Sequence, residues 1–155
     1  MARNIQIIVI DPDPQSREEV RRMLALGGFA VLGCAAYGTE AFSLCQETHP
    51  DVVLMNLTEP VGRAFQTLEA VTRLLPASGI IIYSRISAHE VVRRAMQLGA
   101  RDYLVQPVKQ EKMAAAIESV RRLLEESPRV LPPEVGERPM VPFGSVVTVF
   151  GPKGG

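Results

Sequence analysis

GTEAFSLCQETHPDVVLMNL, residues 38–57, contains one complete turn of the pattern on which the fold depends. Its first half is an amphipathic stretch that predicts a helix over 39–47. Its second half, VVLM at 52–55, is a short apolar run that predicts a buried strand. The same alternation continues in both directions. Upstream lie a strand-like run over 29–36 and an amphipathic stretch with Val20, Met23 and Leu24 on one face, and before those comes the β-branched run over 5–10. Asp13 followed by Pro14 gives the first helix an N-cap and a preferred first residue, and Gly27-Gly28 gives it an end. Downstream, Phe65, Leu68, Val71 and Leu75 recur at helical spacing, predicting a helix over 64–75 that Pro76 stops. GIIIY at 79–83 predicts a fourth strand, 88–98 a fourth helix, 103–105 a fifth strand and 109–124 a fifth helix. Five β-then-α units require crossover connections, so the fold class is α/β with a doubly wound, five-stranded parallel sheet. Near-continuous apolar strands agree with a sheet covered on both faces.

Composition narrows the function classes. Of 155 residues 46% are hydrophobic, enough for a core and too many for a disordered chain. Lys+Arg and Asp+Glu are 17 each, so no net positive field draws the chain to nucleic acid or an anionic membrane. No apolar run approaches the roughly 20 residues needed to cross a bilayer, and no secretory leader is expected at the N-terminus. Cys34 and Cys45 lack metal-ligand spacing, and two buried thiols in a reduced, cytoplasmic setting are expected. His49 and His89 read as solvent-facing. Arg93, Arg94, Arg121 and Arg122, interspersed with Glu90, Glu118, Glu125 and Glu126, read as solvated helix faces.

Residues 127–144 differ in kind. Prolines at 128, 132, 133, 139 and 142, with no helical or strand period, read as a Pro-rich linker after a domain at 1–126. At 145–155, SVVTVF runs as a strand into Gly151-Pro152-Lys153-Gly154-Gly155.

Two stretches, GTEAFSLCQETHPDVVLMNL and LGARDYLVQPV (98–108), together with the acids after the first strand and Ser84 after the fourth, resemble a response-regulator receiver domain. The resemblance covers about residues 4–125. It implies the flavodoxin-like strand order 2-1-3-4-5. It also implies a phosphoacceptor pocket at Asp11, Asp13, Asn56, Ser84, Tyr103 and Gln106, and that pocket departs from the family pattern. The family accepts a phosphoryl group on an Asp where this chain has Asn56, and binds its oxygens with a Lys where this chain has Gln106. Pro12 falls on the second acidic metal position. An acyl phosphate needs a carboxylate nucleophile and a neutralising cation. A carboxamide supplies no such nucleophile, and Asp11 alone is a poor Mg²⁺ site. Loss of the acid and the base together reads as a coherent retirement of the site. No catalytic residue, metal or cofactor is therefore expected in this part of the protein.

The tail resembles the opening of the deviant P-loop of MinD/ParA-type ATPases, with Gly151, Lys153, Gly154 and Gly155 as its nucleotide-binding residues. A receiver lacking its acceptor, a linker and that strand resemble the layout of CpaE/TadZ-type pilus-assembly ATPases, here cut at the start of the P-loop. The resemblance implies a non-phosphorylatable interaction and localisation module for a fused ATPase that would use ATP and Mg²⁺. Its partners would be proteins of a pilus or secretion assembly, which would recruit it from the cytoplasm to the cell pole or inner membrane. A homodimer through the fourth helix, fifth strand and fifth helix is a further family expectation, with Arg94, Arg101, Asp102 and Glu118 as candidates. The rival reading is a two-component receiver still regulated by phosphorylation or ligand, or the regulatory domain of another MinD/ParA-like ATPase.

Overall fold

A computed structural model describes residues 5–126 of the chain, apart from the side chain of Glu126. The expectations for 127–144 and 145–155 lie outside the described residues. In chain order the elements are β1 (Gln6–Ile10), α1 (Pro14–Leu26), β2 (Ala30–Ala35), α2 (Thr39–Thr48), β3 (Val52–Asn56), α3 (Val61–Leu74), β4 (Gly79–Ser84), α4 (His89–Gln97), β5 (Asp102–Val105) and α5 (Gln110–Glu126). All five strands are parallel, in the order β2-β1-β3-β4-β5, which is the flavodoxin-like arrangement. By contacts the chain divides after Arg122. The first unit contains the whole sheet, and the described part of the second is the last turn of α5.

Side-chain alternation along the strands sorts the core. Ile8, Ile10, Val53, Met55, Ile80 and Ile82 pack with Ala41, Cys45, Ala64, Leu68, Val71 and Ala95 of the helices. The alternate residues Ile7, Val9, Leu54, Ile81 and Tyr83 are also buried, as are Val20 and Leu24 of α1 and Ile117 and Val120 of α5. The central strands β3 and β4 are buried at every position, which is why their sequences carry no polar alternation.

Local chemistry sets the boundaries. Asp13 accepts from the Gln15 backbone N–H at 3.1 Å and Pro14 opens α1, as the sequence predicts. α3 starts three residues before the expected Ala64, because Pro60 holds the extended N-cap conformation and the turn begins directly after it. β3 and β4 each run one residue further than their apolar cores. Asn56 pairs with Tyr83, and the Leu57 N–H continues the ladder to the Tyr83 carbonyl. Of the two free thiols only Cys45 is fully buried. Cys34 is half-buried on the edge strand β2, which lacks a neighbour on one side. His49 and His89 are exposed. No described helix is long and apolar enough to cross a membrane.

Gly79 marks the closest approach of β4 to α5. A Cβ there would run into Val120 Cγ1, a short branched group with no room to swing away. Gly62, in the first turn of α3, has open space around it. Gly79→Ala is therefore expected to lose about 1–3 kcal/mol through overpacking. Gly62→Ala is expected to gain up to about 1 kcal/mol from helix propensity. Urea denaturation of the two variants checks the contrast, and equal effects would contradict it.

Candidate functional site

In a sheet of order 2-1-3-4-5 the connections leave β1 and β3 towards opposite sides, so a crevice opens beyond their C-terminal ends. Asp11 follows β1 there and Asn56 ends β3. Asp11 is fully buried, and its backbone N–H still donates to the Ala35 carbonyl of β2. Its carboxylate accepts three donors. The Tyr83 hydroxyl donates to Oδ2 at 2.7 Å, Asn56 Nδ2 to Oδ2 at 3.2 Å, and the Asp13 backbone N–H to Oδ1 at 2.9 Å. Every partner donates and none accepts, which suits the carboxylate form. The third bond folds Pro12 into a short turn and delivers Asp13 to its capping position.

Asn56 is 5% exposed. Its Nδ2 also approaches Ser16 Oγ at 3.4 Å, while its Oδ1 is buried with no hydrogen-bond partner. The carboxylate of Asp11 fixes which branch is which, since a reversed amide would set oxygen against oxygen. Tyr37, two residues beyond β2, donates its hydroxyl to the Asn56 carbonyl and accepts from the Thr58 backbone N–H at 3.1 Å, tying the loop after β2 to the loop after β3.

A cleft of about 430 Å³ lies over these strand ends. Asp13, Asn56 and Gln106 of the expected pocket line it. Asp11, Ser84 and Tyr103 do not. Ser84 is fully buried and uses its hydroxyl twice, donating to the Leu57 carbonyl at 2.6 Å and accepting from the Ile86 N–H at 3.0 Å. Tyr103 donates to the Ile86 carbonyl at 2.7 Å. Sequence reasoning missed Tyr83, Tyr37, Ser16 and the charged rim of Glu19, Glu59 and Arg85. Tyr83 carried a signal: a phenol ending the aliphatic run GIIIY needs a hydrogen-bond partner when buried.

Burial, then the charge of Asp11, then the bond to it, push the Tyr83 phenol far above the ordinary tyrosine range. Burial also raises Tyr37 and Tyr103.

The match to known proteins is direct. The family model for the response regulator receiver domain matches residues 7–118. The chain belongs to this family. It is 28% identical over 115 residues to protein CcdB of Bacillus subtilis, covering 74% of this chain and 96% of that protein. It is 25% identical to the chemotaxis protein CheY of Thermotoga maritima, covering 76% of this chain and 98% of that one. Against the probable C4-dicarboxylate response regulator DctR of Priestia megaterium the identity is 29%, but the match spans only 51% of that longer protein. Among solved structures, the receiver domain of the putative response regulator NarL from Mycobacterium tuberculosis superposes with a TM-score of 0.68 at 28% identity, covering 77% of this chain and 98% of that one.

Receivers of this family use Mg²⁺, and the donors here do not suit it. Both Asp11 oxygens are engaged, Asp13 is spent on its cap, and no cluster of three metal-ligating side chains exists among the described residues. Mg²⁺ prefers several free hard oxygens around one point.

Two measurements follow from this geometry. Asn56→Asp sets a second carboxylate against the buried oxygen of Asp11. One acid of that pair holds its proton to higher pH, so the variant's stability falls as pH rises through that ionisation. Chemical denaturation is expected to show a deficit of about 1–3 kcal/mol at pH 8 that shrinks at pH 5. A deficit independent of pH would mean that the two groups do not meet. The raised phenols have the same sign. The unfolded chain ionises its tyrosines near pH 10 while the folded chain does not, so stability falls as pH rises above 10. Absorbance at 295 nm is expected to show much less phenolate in native than in urea-unfolded protein at that pH, since all three tyrosines of the chain are shifted upward.

Proposed function

We propose that this receiver is a pseudo-receiver, which takes no phosphoryl group and acts through protein contacts. The observation that carries this reading is the amide of Asn56 donating to Asp11 at 3.2 Å. The atom at the family's acceptor position is a hydrogen-bond donor, and the remaining acid is spent on holding it. Gln106 supports the same reading, because the cleft lacks the lysine that would take a phosphoryl oxygen. A receiver still regulated by phosphorylation fits the family match equally well, and Asn56 is the residue that separates the two readings.

The wider assignment rests on the sequence of the tail. Gly151, Lys153, Gly154 and Gly155 following an apolar strand support a module fused to a MinD/ParA-like ATPase of the CpaE/TadZ type. In that setting the receiver would position the ATPase, with ATP and Mg²⁺ bound by that second domain, among proteins of a Tad-type pilus assembly at the pole or inner membrane. The coding sequence after Gly155 tests this part, with V-G-K-[ST] and then a helix as the expected continuation.

Incubation with acetyl phosphate and Mg²⁺, followed by intact-mass measurement, tests the central claim. No adduct is expected on the wild-type chain. Asn56→Asp is expected to remain inefficiently labelled, because Gln106 and Pro12 still replace the base and the second acid. A stoichiometric, hydroxylamine-labile phosphate on the wild type would overturn the pseudo-receiver reading.

A further inference from the structure

We propose that the cleft beyond β1 and β3 is a socket for a protonated nitrogen, the ammonium or guanidinium head of a lysine or arginine presented by a partner protein. This rests on the reading that the pocket takes no phosphoryl group, and it names the chemistry of the partner. Three independent observations converge on it.

The first is an anion without a cation. Asp11 is fully buried, and its three partners are a phenol, a carboxamide and a backbone amide, all neutral. Gln106 stands at the cleft with no charge to offer. Neutral donors hold the carboxylate in place but leave its field uncompensated, and that field is stronger in a low-dielectric interior than in water.

The second is an acceptor without a donor. Asn56 lines the cleft, is 95% buried (5% exposed) and has no protein partner for Oδ1. The opposite branch of the amide is committed to Asp11, so the side chain cannot turn to relieve it. A buried amide oxygen left unpaired costs about 1–3 kcal/mol, which an incoming N–H would recover. An anion or a phosphoryl oxygen would meet this atom as a repulsion.

The third is the rim. The charged residues that line the cleft are Asp13, Glu19 and Glu59 with one cation, Arg85. Glu19, Glu59 and Arg85 are exposed, and no ion pair among the described residues joins them. Three carboxylates over a buried fourth favour a cation, and Arg85 alone is too few charges to cancel them. The volume of about 430 Å³ admits a long basic side chain together with water. The rim also chooses between sources. A free amino acid carries, beside its α-ammonium, a carboxylate that the three acids repel, whereas a side chain within a polypeptide brings neither group.

The test is an NMR titration of the ¹⁵N-labelled full chain. The probes are arginine blocked at both ends, its neutral citrulline counterpart, free arginine, and Mg²⁺ alone. Blocked arginine is expected to move the Asn56 and Gln106 side-chain amides and the Thr58 backbone amide, with the citrulline probe leaving them in place and free arginine binding more weakly. The paired variant Glu19→Gln, Glu59→Gln changes only exposed groups. It is expected to weaken blocked arginine about threefold, and Arg85→Gln to strengthen it by a similar factor, both effects shrinking at high salt. Equal shifts from the citrulline probe, indifference to the rim variants, or displacement of the probe by equimolar Mg²⁺ would overturn the socket. Free arginine binding as tightly as the blocked form would overturn the protein source in favour of a small molecule. Each of these results leaves the mass measurement untouched, so the socket and the pseudo-receiver reading fail separately.

Discussion

A single carboxylate, buried at the switch between the two halves of the sheet, organises this domain. Asp11 is the one acidic side chain among the described residues that is fully enclosed. Burying such a group without partners is costly, so its surroundings must supply donors. Those donors come from three places: the turn after β1, the end of β3 and the end of β4. The three bonds therefore lock the relative heights of β1, β3 and β4 and start α1 at the same time. Removing any one donor leaves a buried charge partly unsatisfied, a larger loss than the same bond would represent at the surface.

The substitutions at Asn56 and Gln106 take on a different meaning beside Tyr83. Read as a pair in the sequence, they remove an acid and a base and suggest a pocket made neutral. The structure keeps one charge, that of Asp11, and replaces ionic compensation with hydrogen bonds. Tyr83 is the residue that makes this workable. Its hydroxyl reaches the same oxygen as the Asn56 amide, so the carboxylate meets two side-chain donors, both neutral and bringing no compensating charge. The arrangement is satisfied on the Asp11 side and unsatisfied on the Asn56 side, where Oδ1 has no donor.

The legibility of the fold in the sequence follows from the same physics. Strands covered on both faces must be apolar throughout, so VVLM and GIIIY stood out, and the helices between them showed their own period. Asp13 was legible as a cap because capping is local, involving a side chain and an amide two residues away. The start of α3 was harder to place, because Val61, Gly62 and Arg63 form its first turn before the apolar stripe becomes regular. The site was only half legible. Asp11, Asn56 and Gln106 were legible through the resemblance to receiver domains, whose pattern falls on these positions after β1, at the end of β3 and after β5. That Ser84 turns away from the cleft, and that Tyr83 reaches Asp11, depends on strand register: Asn56 opposite Tyr83 places Tyr83 on the Asp11 side of the sheet and Ser84 on the other. Register is a long-range property, and a one-residue change would exchange their roles. The rim is less legible still, since Glu19, Glu59 and Arg85 come from three separate segments whose meeting only the folded chain reveals.

The groups on the far side of the sheet from Asp11 are held by bonds within the protein. Ser84 has its donor and its acceptor role both filled by backbone, at 2.6 and 3.0 Å, and it is fully buried. Tyr103 is fastened to the Ile86 carbonyl, and Ile86 is the residue whose N–H Ser84 accepts. The two side chains thus clamp one loop from both of its backbone groups, and neither presents a hydroxyl to the cleft. Tyr37 does the same for the loop after β3, through the Asn56 carbonyl and the Thr58 N–H. With these loops held by internal bonds, the buried side-chain polar atom left without a partner among the described residues is an acceptor, Oδ1 of the Asn56 amide.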